Sequence, residues 1–271
     1  MRRAVNTLMT ALTACCAFFV VAILVIILGY IAMRGLTSIN LRFLIDTPQP
    51  IGEGGGIGNA ITGSLMLLAL SSVIGLPFGI AAGIYLAEFG DNWFAAIVRF
   101  MTDTLTGVPS IVVGVFVYTL IVLPQKHFST LAGGVALALI MIPIVTRTTE
   151  EMIRLVPASL REGALALGAP QWRVTLGVVL PAAGSGIVTG AMLAVARVSG
   201  ETAPLLFTAF GSRFFNWYLD QPIASLTVQI YSYAISPYDE WHAQAWAATL
   251  VLMTLILLIN IAVRFFTREK I

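Results

Sequence analysis

Charge is what this chain has least of. Asp, Glu, Lys and Arg make up 10% of its 271 residues, where a soluble domain carries ~25%. Lysine is nearly absent: Lys126 and Lys270 are the only two. Neither follows a glycine, so the Gly-x-x-x-x-Gly-Lys-[Ser/Thr] loop that cradles nucleotide phosphates is missing and the chain is not itself an ATPase. The only cysteines are the adjacent Cys15 and Cys16, which excludes a disulfide scaffold. His127 and His242 stand alone, so no metal-ligand spacing exists. A net charge of +2, dispersed along the chain, argues against nucleic-acid binding. The polar, highly charged composition of a disordered chain is absent too. What is present is 58% hydrophobic residues. That is more than one soluble core needs, and it points to a polytopic, all-α membrane protein with a single domain over residues 1–271.

Charge-free runs cover residues 4–33, 54–87, 104–125, 128–146, 174–196 and 241–263. A bilayer-spanning helix needs ~20 predominantly apolar residues. The runs therefore predict six transmembrane helices, near 8–33, 60–87, 104–123, 128–147, 177–203 and 243–264. Long uniform runs exclude a β-barrel, whose strands alternate. The first run follows Arg2 and Arg3 as a secretory signal would, but it is too long for a signal core. Leu12-Thr13-Ala14-Cys15 imitates a lipoprotein cleavage box. Only a short stretch precedes it and the long apolar run follows, so a retained anchor helix is the simpler reading. Six spans put both termini on one side. That side collects ten Lys and Arg residues, Lys270 among them, against four on the other. The excess predicts cytoplasmic termini.

The two faces differ. On the predicted outer face, Gly52-Glu53-Gly54-Gly55-Gly56 marks a flexible or tightly turning stretch. The long outer connection 205–242 is rich in aromatics, among them Phe214, Trp217, Tyr218, Tyr233 and Trp241. It suits either an interfacial belt or a docking surface for an outside partner. On the inner face, Glu88, Asp91 and Asp103 fall in a short connection and are expected to face solvent or a partner.

The inner connection 157–173 holds the sharpest local syntax. Pro157 should stop the preceding helix. Ser159 and Glu162 have the Ser-x-x-Glu spacing of a capping box that would start a new one. Gly168 can end it in the left-handed conformation, and Pro170 prevents its return. The expected helix, 160–167, carries an apolar face of Leu160, Ala164 and Leu167. Eight residues are too few for a stable isolated helix, so it needs a surface to pack on: its own spans, the lipid interface, or a groove in an inner partner.

Two charges interrupt the fifth span. Arg197 and Glu201 sit at i, i+4 on one helix face. Either they neutralise each other so that both can be buried, or they line a polar path. Arg147 and Glu150, at i, i+3 where the fourth span ends, suit positive-inside anchoring with a helical ion pair. Pro77, Pro109, Pro143, Pro181 and Pro204 lie in or beside spans and can kink them. Gly75, Gly79 and Gly83 share one face of the second span, fit for close packing within the chain or for a seam with a second subunit.

These segments together bear a resemblance. Glu162-Gly163-Ala164, three residues, Gly168, nine residues, then Val178-x-Leu180-Pro181 is similar to the loop Glu-Ala-Ala…Gly…Ile-x-Leu-Pro of ABC-importer permeases. Gly163 for Ala and Val178 for Ile are small departures. The run from Ala196 through Arg197 and Glu201 to Phe207 resembles the phosphate-importer branch. So do Gln221–Leu226, Gln229-Ile230-Tyr231, Ala245-Trp246, Gly54–Gly58 and Arg147–Glu151. The resemblance implies the type I, MetI-like permease fold and a non-catalytic permease subunit of an ATP-driven phosphate importer working by alternating access. It implies that the helix carrying Ser159, Leu160, Glu162, Gly163, Ala164, Leu167 and Gly168 couples to an ATPase. Arg197, Glu201, Arg147 and Glu150 match positions on the substrate path. Guanidinium can give an oxyanion two parallel hydrogen bonds, and Glu201 could weaken that trap or take a proton from the phosphate. The implied partners are a second homologous permease, two ATPase subunits that hold the ATP, an external phosphate-binding protein and membrane lipid, with no nucleic acid and no cofactor in this chain. The alternatives are a permease for another small oxyanion, a stand-alone channel or secondary transporter, and a membrane-embedded enzyme. The last lacks convergent catalytic His, Asp or Cys residues.

Overall fold

The computed structural model describes residues 2–268, so Lys270 lies outside the described residues. Apart from one isolated bridge between Pro48 and Gly55, their regular structure is helical. In order come α1 (Arg2–Gly35), α2 (Leu41–Ile45), α3 (Gly58–Glu88), α4 (Trp93–Gly107) and α5 (Ser110–Val117). A π-helical turn over Tyr118–Val122 joins α5 to α6 (Leu123–Gln125). Then follow α7 (Thr130–Arg154), α8 (Ala158–Ala166) and α9 (Gln171–Val174), which a second π-helical turn, Thr175–Val179, joins to α10 (Leu180–Ser199). The chain closes with α11 (Ala203–Thr208), α12 (Leu226–Ala234) and α13 (Asp239–Arg268). Among the described residues, five helices are long and apolar enough to cross a membrane: Val5–Gly35, Gly58–Glu88, Thr130–Arg154, Gln171–Ser199 and Asp239–Phe265.

A bent pair, Trp93–Gly107 with Ser110–Gln125, makes the sixth when counted as one span, and its two parts meet at 107°. The expected third span, 104–123, is therefore corrected: its first residues belong to α4, before the bend. Asn92 caps α4 by accepting from the Ala95 N–H at 2.9 Å. Pro109 ends it, because Val108 ahead of the proline is forced to an extended ψ of 131°. The rod from Ser110 to Gln125 is only about 24 Å long at 1.5 Å per residue, short of a ~30 Å hydrocarbon core.

α7 is the centre of the bundle. Ser129 caps it, accepting from the Ala132 N–H at 3.1 Å. α3 lies along it through the glycine stripe: Gly75 meets Met141, Gly79 meets Val145 and Gly83 meets Thr149. The stripe is thus a seam within the chain. α10 packs on another side of α7, where Gly186 meets Met152 and Gly190 meets Thr148. The main apolar cluster, including Leu67, Leu137, Met141, Val145 and Val198, fills the space among these helices. α1 stays outside. Its apolar window is 0% buried in this chain, and it touches α13 with Tyr30 edge-on to Trp246 at 5.2 Å. The glycine-rich stretch turns tightly, with Gly52, Gly54 and Gly55 all at positive φ. The segment 205–242 is partly helical, carrying most of α11, all of α12 and the start of α13.

Candidate functional site

The first candidate is α8 and its two ends. The helix runs from Ala158 to Ala166, two residues earlier than expected at its start. Its N-cap is Pro157, with no side-chain cap, so the Ser159–Glu162 capping box is not formed. Pro157 sits at φ −56° and ψ 137° and turns the chain straight into helix. Ser159 therefore falls inside the helix, past the position a capping side chain must hold. The other end is as sharp as Gly168 suggested. Gly168 takes φ +80°. Its N–H donates to the Leu165 carbonyl at 2.9 Å, and the Ala169 N–H donates to the Ala164 carbonyl at 3.3 Å, which is the paired bonding of a Schellman end.

The expected apolar face divides. Ala164 packs against the cluster around Ile153, Val174 and Val179. Leu160 is 47% and Leu167 90% exposed, and Ser159, Glu162 and Gly163 are exposed as well. The helix and its C-cap thus present three exposed leucines, Leu160, Leu165 and Leu167, at one end of the bundle while Ala164 and Arg161 face their own chain.

Glu88 overturns its sequence reading. It is not solvent-facing: its side chain is 6% exposed and ion-pairs with Arg161. The Thr175 hydroxyl donates to its second carboxylate oxygen at 3.2 Å. Asp103 lies within α4 and not in a loop. Glu150, at the same end, is 2% exposed and serves three arginines. Arg99 Nε reaches it at 2.8 Å, Arg154 at 2.7 Å and Arg147 at 3.6 Å. Arg147 makes its shorter contact, 3.0 Å, with Glu151. Arg99 also donates to the carbonyls of Leu86 and Gly90, so this cluster ties α4 to α7 and to the end of α3. Sequence reasoning found Arg147 and Glu150 but missed Arg99, Arg154, Arg161 and Glu88 as members of buried clusters. The available signal was their mere presence in a chain so poor in charge.

The second candidate is the exposed face of α10. Ser185, Thr189, Leu193 and Arg197 follow at i+4 spacing, and all four are exposed in this chain. The first three line an open cleft of about 340 Å³ together with Thr148 of α7. Arg197 closes the row in the last turn of α10. It lines a small cavity with Thr106, Val108 and Ser110 at the α4–α5 bend and with Leu139, Ile140 and Ile144. That sets it level with the middle of α7. Its side chain is 58% exposed, and its contact with Glu201 is 4.0 Å long. The Glu201 side chain is largely buried, and its carbonyl accepts from the Thr227 hydroxyl at 2.9 Å. So long a contact is a weak neutraliser, and most of the Arg197 charge faces away from the chain. Among the described residues no hydrogen bond or ion pair joins the Arg197–Glu201 pair to the Arg147–Glu150 pair.

Two hydroxyls, Ser185 and Thr189, thus lead along α10 to a weakly paired arginine, and three exposed leucines stand at the α8 end of the bundle. Residues 75–270 match the family model of the binding-protein-dependent transport system inner membrane component. The chain belongs to this family. A relative from Yersinia pestis, the phosphate transport system permease protein PstA, is 47% identical over 99% of this chain and 92% of its own. A probable phosphate transport system permease protein PstA from Methanocaldococcus jannaschii is 38% identical over 89% of this chain and 86% of its own. Among solved structures, an inward-facing MetNI methionine ABC transporter chain superposes with a TM-score of 0.66. It is 19% identical and covers 79% of this chain and 97% of its own, a likeness of fold alone. This inner membrane component is therefore a multi-pass, all-helical membrane protein with the MetI-like permease fold. At the end of this permease opposite α8 lies a further cavity of about 600 Å³, walled by Pro48–Ile51, Phe210–Arg213 and Gln229, Ser232, Tyr233 and Trp241. Burial raises the Tyr233 phenol above its ordinary pKa, with the hydrogen bond to Gln229 and the charge of Arg213 opposing the rise.

Proposed function

We propose that the chain is the transmembrane permease subunit of an ATP-driven importer of inorganic phosphate. It forms half of the translocation path and performs no catalysis itself. The observation that carries this reading is near-full-length identity, at 47%, to a phosphate transport system permease. The site supports it. The exposed row on α10 offers hydroxyls and one guanidinium in an otherwise apolar surface, and a dry path needs fixed positive charge to admit an oxyanion. A second, homologous permease covers that row and supplies the facing half of the path. Leu160 and Leu167 enter a groove of an ATPase subunit, which lies with α8 and both termini on the cytoplasmic side of a bacterial inner membrane. Two such ATPase subunits hold the ATP. A phosphate-binding protein docks at the end where Phe214, Trp217 and Tyr218 are exposed. ATP-driven closure of the ATPase pair displaces α8, and the spans then open to alternate sides.

The test is reconstitution of the chain with the neighbouring permease, ATPase and binding protein in proteoliposomes. Uptake of labelled phosphate that needs ATP and is not matched by sulfate is the expected result. Equal uptake of sulfate would make this a permease for another oxyanion, and uptake without ATP would make it a channel or secondary transporter.

A further inference from the structure

α8 is held to its own chain by very little. Of its nine residues, only Arg161 and Ala164 are not exposed. Ala164 makes a small apolar contact, whereas Arg161 reaches three places. One arm pairs with Glu88, the last residue of α3. The other donates to the Ile153 carbonyl in the last turn of α7 at 2.8 Å. Through Glu88 it also meets Thr175, which opens the π-helical turn below α10. A single carboxylate–guanidinium pair therefore joins α8 to the ends of the three helices that make the bundle. The pair is sequestered, with Glu88 6% and Arg161 24% exposed. Each carboxylate oxygen has a directional partner, so the linkage resists both stretch and rotation, which a sliding contact such as that of Ala164 does not. The π-helical turn beside it is a form of backbone found mostly at sites that move or bind.

We infer that the Arg161–Glu88 pair is the linkage through which displacement of α8 reaches α3, α7 and α10. The inference rests on the proposed coupling role of α8. Arg161 and Glu88 are positioning residues: neither touches the transported ion. α3 receives the motion at Glu88 and shares it with α7 along the Gly75–Gly79–Gly83 seam, so the two helices move as one body. An ATPase docked on Leu160 and Leu167 would still hold α8 if the pair were broken, but its motion would no longer be handed on.

The experiment uses the assembled, reconstituted complex. Glu88→Gln keeps the size but removes the charge and turns one of the two accepting oxygens into a donor. We expect the ATPase to co-purify at wild-type level and to hydrolyse ATP, while ATP-driven phosphate uptake falls at least roughly tenfold. The exchanged pair Glu88→Arg with Arg161→Glu re-forms the ion pair without the bond to the Ile153 carbonyl, so it should recover part of that uptake, which a role in packing alone would not give. A second readout needs no transported ion. With Cys15 and Cys16 changed to Ser and Ser185→Cys introduced on the exposed row, labelling by a membrane-impermeant maleimide should respond to ATP in the wild-type pair and not in Glu88→Gln. A Glu88→Gln complex that transports, or whose labelling responds to ATP, at wild-type level overturns the inference. If Glu88→Gln fails to assemble, Arg161→Lys decides, because Lys can pair with Glu88 but cannot also reach Ile153. Intact docking with reduced uptake then supports the linkage, and wild-type uptake overturns it. A wild-type complex whose labelling follows ATP but which takes up no phosphate would sink the substrate reading and leave the linkage standing.

Discussion

Replacing Gly83 by Ala adds one methyl group at the α3–α7 seam, and its consequence follows from the geometry. The new Cβ would lie 2.5 Å from Thr149 Cβ, 2.8 Å from Thr149 Cγ2 and 2.7 Å from the Thr146 carbonyl oxygen. Carbon atoms in contact rest at about 3.5–4.0 Å, so the helices must part by about 1 Å. Thr149 is fully buried and the other neighbour is backbone, so neither can swing aside. Parting α3 from α7 also opens the contacts of Gly79 with Val145 and of Gly75 with Met141. Overpacking of this kind costs about 1–3 kcal/mol. Removing a helix-interior glycine returns about 0.5–1 kcal/mol. Subtraction leaves a loss of about 0–2.5 kcal/mol; because both neighbours are rigid the cost falls in the upper part of that range, about 1–2 kcal/mol, or a melting temperature lower by about 2–8 °C for a chain of this size. Gly29 on α1 is the control. A Cβ there meets nothing within 4 Å, so only the helix term acts and Gly29→Ala should melt at or slightly above wild type. Thermal unfolding of the purified chain in detergent, followed by circular dichroism, measures both. A Gly83→Ala protein as stable as wild type, or a Gly29→Ala protein that loses as much, would refute the reasoning.

Gly168→Val should unmake the Schellman end of α8. A β-branched residue at φ +80° costs about 2 kcal/mol or more, so ATPase co-purification and transport should both fall while membrane insertion is unchanged; wild-type co-purification and uptake would show that the helix end does not matter. Arg197→Gln should abolish phosphate uptake with assembly and ATP hydrolysis intact. Arg197→Lys should transport in part, because it keeps the charge without the fork. If Arg197 served only to neutralise Glu201, the double change Arg197→Gln with Glu201→Gln would restore uptake; the 4.0 Å contact argues that it will not. Reporter fusions after Lys270 and near Ser159 should lie in the cytoplasm, and fusions near Gly55 or Trp217 outside. A reporter after Lys270 found outside would mean an odd number of crossings, with the α4–α5 bend the first place to look.

What was legible in the sequence was whatever a few neighbouring residues decide by themselves. An apolar run long enough to cross a bilayer must be helical there, since no other backbone satisfies its own hydrogen bonds. The helix stop at Gly168 is local as well: it needs only a residue free to take positive φ and the two bonds that follow from it. The capping box failed on a local competition. Ser159 and Glu162 have the right spacing, but Pro157 fixes the helix start ahead of them, and a cap works at one position only. At Pro109 the break could be foreseen and its 107° direction could not, because the angle depends on what α4 packs against.

The least legible features are the pairs that hold the α8 end together. Arg161 and Glu88 are 73 residues apart, and Arg99 and Glu150 are 51 apart. Spacing rules see only charges within about one helical turn. By those rules Glu150 can pair with Arg147 or Arg154, three and four residues away, but nothing in them points to Arg99, which it meets at 2.8 Å. Glu88 looks like an ordinary solvated residue at a helix end because its partner is brought in by the fold. The glycine stripe lies between the two cases. Its spacing announced a close helix contact, but a surface of small residues fits any helix that approaches it. Only the α3–α7 packing settles that the partner lies in the same chain. In a chain this poor in charge, burying an acid without a base is costly enough that each buried carboxylate implies an arginine nearby. The sequence therefore implies that such pairs exist, and only the fold can say which arginine each carboxylate takes.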